Sequence, residues 1–133
     1  MVMYDRYLEL KKLHNDTLVM IIVGNFYHIY DEDAIIMFYL FKYKINDNKV
    51  GFPIRSLEKV INKLIKNNIN YYVDENNFKY FDNNGYLELL DKSRLYYELN
   101  LEIEDIYNYL ISNIERKYIK RIISKIKDVI DEG

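Results

Sequence analysis

The sequence predicts an α/β fold: a mixed central β-sheet flanked by helices, followed by a long C-terminal helix. Three observations predict it. Continuous β-branched runs such as "TLVMIIV" alternate with helical stretches of 10 to 14 residues over about the first 85 to 90 positions. Short polar turn signals ("HNDT", "GN", "NDNK", "KNN") separate them. From Leu101 no turn signal interrupts the chain until Gly133, which leaves a single helix. The expected organisation is an α/β module over residues 1–90 and a helical extension over 91–133.

In chain order, Met3, Tyr7, Leu8, Leu10 and Leu13 recur at helical spacing and stop at "HNDT", giving a first helix from Met3 to His14. "TLVMIIV" suits a strand buried on both faces. Gly24-Asn25 marks a turn, and "FYHIY" is a second strand. Asp31, Glu32 and Asp33 are the acids a helix N-terminus favours, and "AIIMFYLFKY" continues them as a largely buried helix ending near Lys42. Val50 to Pro53 is a short strand. Leu57, Val60, Ile61, Leu64 and Ile65 form an apolar stripe on a helix from Ser56 to Asn67. "INYYVD" is another strand. "NFKYF" and "YLELL" read as a hairpin turning at Asn84-Gly85, with a helix opening at "GYLELL" as the alternative.

Composition limits the function classes. A chain of 133 residues, half of them apolar, can bury one modest core. Cysteine is absent and only His14 and His28 are present, so a disulfide framework and a thiolate metal site are excluded and no metal centre is expected. A reducing, cytoplasmic setting fits. "LVMIIVG" is far shorter than the roughly 20 residues of a membrane span, and the N-terminus has no signal-peptide core. A net charge of −2 opposes strong generic attraction to nucleic acid but leaves room for a local basic patch. The joint richness in Ile, Asn, Lys and Tyr reflects AT-rich coding, so the tyrosines are weak support for base stacking.

In the C-terminal helix, Ile103, Tyr107, Leu110, Ile114, Tyr118, Ile122, Ile126 and Val129 follow one stripe that has to be covered, by the α/β module or by a second copy. Arg116, Lys117, Lys120, Arg121, Lys125 and Lys127 form an acid-free stretch. It reads either as a solvated helix face or as a surface for phosphates or a partner. Enzyme signatures are lacking: there is no phosphate loop, no dinucleotide fingerprint, no nucleophile elbow and no H-E-x-x-H, and four glycines cannot build a glycine-rich cradle. No enzymatic activity and no cofactor are expected. Three consecutive acids at 31–33 point in three directions and make a poor hard-metal site.

"GNFYHIYDEDA", Gly24 to Ala34, resembles the "G-D-F-Y-E-L-F-x-x-D-A" signature of the N-terminal domain of the MutS family of DNA mismatch-recognition proteins. "GFPIRSLEKVINKLIKNNINYYVDEN", Gly51 to Asn76, is similar without gaps to that family's "G-I-P-x-H-x-x-x-x-Y-L-x-K-L-x-x-x-G-x-x-V-A-I-C-E-Q". "YLELKKLHNDTLVMIIVG" fits its "Y-x-x-x-K-x-x-x-x-D-x-x-L-x-x-x-x-G". The three blocks cover Tyr4 to Glu75 in order. The resemblance implies that Phe26 occupies the position of a Phe that stacks on a mispaired base from the minor groove. His28 replaces the Glu that hydrogen-bonds that base. "DEN" at Asp74 to Asn76 departs from "C-E-Q". Nothing after about residue 90 resembles the family, and its clamp, lever and ATPase domains have no counterpart here.

Alternation along a strand puts Phe26, His28 and Tyr30 on one face and Tyr27 and Ile29 on the other. Phe26 and His28 are then either incidental packing and surface or an outward DNA wedge. Arg55 in the second block, with Lys120 and Arg121 in the basic stretch, completes the candidate DNA-binding set. An imidazole can donate to a purine N3 or pyrimidine O2, and His28 is expected to protonate near the ordinary pKa of about 6.5. Two function classes follow. One is a stand-alone mismatch-recognition module binding duplex DNA weakly on its own. The other is a repurposed interaction module that docks a protein partner, or a second copy, through the C-terminal helix. No membrane and no small-molecule substrate is expected. A positive rim around Phe26 favours DNA, and a neutral or acidic rim favours the adaptor.

Overall fold

β1 (Thr17–Val23) is the centre of the molecule because Leu18, Val19, Met20 and Ile21 are all inaccessible to solvent, as a strand covered on both faces requires. The computed structural model describes residues 2–74, 78–79 and 84–132. Around β1 run α1 (Val2–Leu13), β2 (Phe26–Tyr30), α2 (Asp31–Phe41), β3 (Lys49–Pro53), a single 3-10 turn at Ile54–Ser56, α3 (Leu57–Lys66), β4 (Asn70–Val73), β5 (Phe78–Lys79), α4 (Tyr86–Asn113) and α5 (Arg116–Glu132). The mixed α/β class expected from the sequence is the observed one. The sheet order is β3-β2-β1-β4-β5, with β1 and β4 parallel and the other neighbours antiparallel. Among the described residues, no helix is long and apolar enough to cross a membrane.

Two turns fix the register of β2. Gly24 at φ +61° makes the tight β1–β2 reversal, so that Val23 pairs with Phe26 and Ile21 with His28. Before β3, Asp47 and Asn48 both have positive φ (51° and 61°) between the mutually bonded Asn46 and Lys49, the geometry of a two-residue hairpin turn. β3 then pairs Gly51 with His28 and Pro53 with Phe26.

The chain divides into two units, Met1–Tyr97 and Glu98–Gly133. The boundary expected at 90/91 falls inside α4. In the first unit, one sheet face (Leu18, Met20, Tyr27, Ile29, Val50, Phe52, Tyr71, Val73) packs with apolar residues of α2, α3 and the start of α4. The other face (Val19, Ile21, Tyr30, Tyr72) packs with Tyr7 and Leu10 of α1, with Tyr4 partly buried against them. Met3, Leu8 and Leu13, read as part of the α1 stripe, are exposed.

Two sequence expectations are corrected. Tyr86 to Leu90 is the start of α4, not a hairpin strand: Tyr86, Leu89 and Leu90 are buried at helical spacing in the main core. Gly85 permits this entry, since a Cβ there would lie 2.8 Å from the Asn68 carbonyl oxygen. Asn77 and Tyr80 to Asn83, the rest of that expected hairpin, lie outside the described residues. The single C-terminal helix is two helices, α4 and α5, broken at Ile114-Glu115. There the Tyr118 and Ile119 amides bond back to the Glu115 carbonyl as a new helix starts.

The deepest polar feature is Asp33, which is fully buried. Its Oδ2 accepts the Tyr7 hydroxyl (2.9 Å) and the Val19 amide (3.1 Å), and its Oδ1 accepts the Tyr86 hydroxyl (2.5 Å) and Lys11 Nζ (3.2 Å). Lys11 Nζ also donates to the Thr17 carbonyl at 2.6 Å. One carboxyl therefore ties α1, β1, α2 and α4. Burial pushes its pKa up, opposed by Lys11 and by its hydrogen-bond donors.

Asp33→Ala removes the acceptor of the Tyr86 hydroxyl and the Val19 amide, and one of the acceptors of the Tyr7 hydroxyl and of the Lys11 ammonium, so urea unfolding is expected to show a loss of about 3–5 kcal/mol, with a smaller loss for Asp33→Asn. A loss under about 1 kcal/mol, the scale of a single ordinary hydrogen bond, would refute the hub. The network also sets an alkaline limit. Burial and the nearby Asp33 charge raise the Tyr7 and Tyr86 pKa values. Above the ordinary phenol pKa of about 10 the unfolded chain loses these protons while the folded chain keeps them. Stability is expected to be fully present below pH about 10 and to fall above it, and Tyr7→Phe should make the fall shallower; a flat profile there would contradict this.

Candidate nucleic-acid interface

β2 is short and nearly all buried, which makes its first residue conspicuous. Tyr27 and Ile29 point into the main core, while Phe26, on the opposite face, is 48% exposed. It sits beside the β1–β2 turn, where α1 no longer covers the sheet. His28, on the same face, is half-buried and meets the Tyr30 ring edge-on at 6.2 Å between centroids. Its cross-strand neighbour Gly51 has no side chain, so the Cδ2–Nε2 edge of the imidazole is left uncovered on that side. A Cβ at Gly51 would come within 3.4 Å of Cδ2.

From His28 a groove of about 640 Å³ runs toward the α1 N-terminus, lined by Met3, Tyr4, Val23, His28, Tyr30, Asp31, Asp47, Asn48 and Lys49. Tyr4 closes one side, its hydroxyl donating to Asp31 Oδ2 at 2.6 Å. Asp31 is held in turn by its own amide on the Asn48 carbonyl at 2.8 Å. The three acids at 31–33 do point in three directions: Asp31 to Tyr4, Glu32 to Arg94, and Asp33 into the core.

Charge around Phe26 is divided. Arg55 is exposed on the 3-10 turn that follows Pro53, the register partner of Phe26, and the Ile54 amide bonds the Asn25 carbonyl at 3.0 Å. Arg55 therefore stands at the Phe26 end of the sheet. Lys49 flanks His28, whereas Asp31 and Asp47 occupy the far end of the groove. Among these residues Arg55 is the base at the Phe26 end, and Lys49 shares the groove with Asp31 and Asp47.

His28 departs from its expected pKa as well. Burial, and then the Lys49 charge, lower its pKa below the ordinary value. It is neutral at physiological pH, and among the described residues its ring makes no hydrogen bond. Lys120 and Arg121 are exposed on α5, in the other unit, and Lys120 lines a cavity there with Tyr107, Ile111, Ile114, Arg116, Ile119 and Ile123. The structure thus brings together Phe26, His28 and Arg55. Sequence reasoning missed Lys49, whose signal was its register opposite Tyr30, legible only once the 47–48 turn is fixed. Glu75 and Asn76, in the segment that departs from the family pattern, lie outside the described residues.

Compared with known proteins, residues 2–77 match the family model described as MutS domain I, which is more than half of the chain. No curated protein matches it.

NMR titration of the His28 ring is expected to give a midpoint below about 6.5, moving upward in Lys49→Ala. Because the folded pKa is the lower one, the contribution of neutral His28 to stability is present above pH about 6.5 and is lost as pH falls through the folded value. A midpoint above 6.5 would show that a carboxylate, not Lys49, governs the ring.

Proposed function

The chain belongs to the MutS domain I family, and we propose that it is a non-enzymatic module of the mismatch-recognition type that binds distorted duplex DNA through a Phe26–His28 wedge. The observation that carries this reading is the exposure of Phe26 on a strand whose other apolar side chains are buried. Opening a base step costs a few kcal/mol, and stacking on one aromatic returns roughly 1–3 kcal/mol. The remainder has to come from phosphate contacts. Arg55 supplies one beside the wedge. Neutral His28, with its Nε2 edge open over Gly51, can donate to a minor-groove acceptor or accept from the guanine amino group. A carboxylate in that place would repel intact duplex and reward sites that kink easily. The imidazole does not, so discrimination against matched duplex is weaker.

The second reading is an interaction module that no longer touches DNA. The exposed apolar residues of the helical unit, Ile103, Ile106 and Val129 among them, favour protein binding there.

Fluorescence anisotropy on matched, mismatched and single-base-bulge duplexes separates the two. DNA binding is expected at low salt in the roughly 10⁻⁴ to 10⁻⁶ M range of non-specific contacts, with a small preference for the distorted duplexes. Phe26→Ala should remove the preference and leave the thermal transition unchanged. Arg55→Ala should weaken binding to all three alike, and His28→Glu should weaken matched duplex most. No binding at low salt, or unfolding of Phe26→Ala, would leave the adaptor reading in place.

A further inference from the structure

Most residues of the helical unit are exposed. Among its described residues only Leu110 and Ile119 are buried, one on each side of the Ile114-Glu115 break. Away from the break on either side many apolar side chains face water, with Ile103 65% and Val129 67% exposed. Part of them is regularly spaced: Leu99, Ile103 and Ile106 lead into buried Leu110 at a 4-3-4 spacing on α4, and Ile122, Ile126 and Val129 follow buried Ile119 at a 3-4-3 spacing on α5. That is the seam of a helix meant to pack along another helix. The charges are separated in the same way. The Glu98–Asn113 part of α4 carries Glu98, Glu102, Glu104 and Asp105 and no base, whereas Arg116 to Lys127 carries six bases and no acid.

We propose that these helices are the interface between two copies of this chain, α4 of each copy lying antiparallel along α5 of the other. A two-fold pair satisfies both patterns at once, because each copy offers one acidic and one basic seam and receives the complement of each. Glu102 precedes Ile103, and Lys125 precedes Ile126, so both occupy the same flank of their seams. Antiparallel helices bring like flanks together, which pairs Glu102 with the partner's Lys125 twice per dimer. An unrelated protein would meet an acidic and a basic helix with no reason to match both. An anionic lipid surface would match α5 and be repelled by α4.

Light scattering on the full chain after size exclusion, from micromolar to submillimolar concentration, tests this. A dimer is expected. Lys125→Glu and Glu102→Lys should each raise the dissociation constant at least about tenfold, and the double variant should restore it. Ile103→Asp should leave a monomer whose circular dichroism keeps the α/β signal. Dimers indifferent to both charge reversals would overturn the pairing. So would a monomer at every concentration, whether the seams are then met by another part of the chain, by a different protein, or by phosphatidylserine vesicles that co-sediment with it.

Discussion

The first unit is organised around one buried carboxyl. Asp33 sits where α2 leaves β2, and its two oxygens take hydrogen bonds from α1, β1 and α4 together with the Lys11 ammonium. Left unpaired in the core, such a group would cost several kcal/mol, so every one of these partners has to be in place for the fold to tolerate it. The network therefore acts as a positional constraint more than as a source of net stability. α1 and α4 must both be docked, on opposite faces of the sheet, before the charge is satisfied.

That constraint also shapes the candidate interface. Tyr7 bonds Asp33 and the Tyr30 carbonyl at 3.0 Å, which holds α1 over the Asp33 end of β2. α1 therefore covers Tyr30, half-covers His28, and leaves Phe26 bare. The same contact that fixes the core decides how much of β2 faces water. Tyr27 and Ile29 are locked into the opposite face, and Phe26 stays exposed between its register partners Val23 and Pro53. Exposure of an aromatic at this position follows from the packing and is not a lapse in it.

Most of the fold was legible because its elements repeat a simple period. The alternation of β2 and the stripe of α3 reappear in the burial pattern within a residue or two. What escaped were relations between distant residues. Asp33 looks like the third of three helix-start acids, and nothing local says that it alone turns inward. The order Tyr7, Lys11, Asp33 and Tyr86 acquires meaning only when the chain has folded. The start of α4 was ambiguous for a different reason. "YLELL" satisfies period 2 and period 3.6 over five residues, and only tertiary packing of Tyr86, Leu89 and Leu90 decides between them. The break at Ile114-Glu115 carries neither glycine nor proline, so no breaker residue announced it.

The site itself was legible as a pair of residues but not as an electrostatic environment. Phe26 and His28 are neighbours on one strand face, which alternation alone dictates. Burial, and then Lys49 brought alongside by β3, lowers the His28 pKa, and neither is visible in a histidine met in isolation. A protonated ring would draw phosphate and bind matched and distorted duplex alike. On the proposed reading, a neutral ring would leave attraction to Arg55 and discrimination to the stacking of Phe26. An aromatic wedge with a neutral hydrogen-bonding neighbour selects for ease of unstacking first and base identity second. On the proposed DNA-binding reading, an imidazole in place of the family's acid would lift electrostatic rejection of intact duplex and keep a preference for steps that open easily.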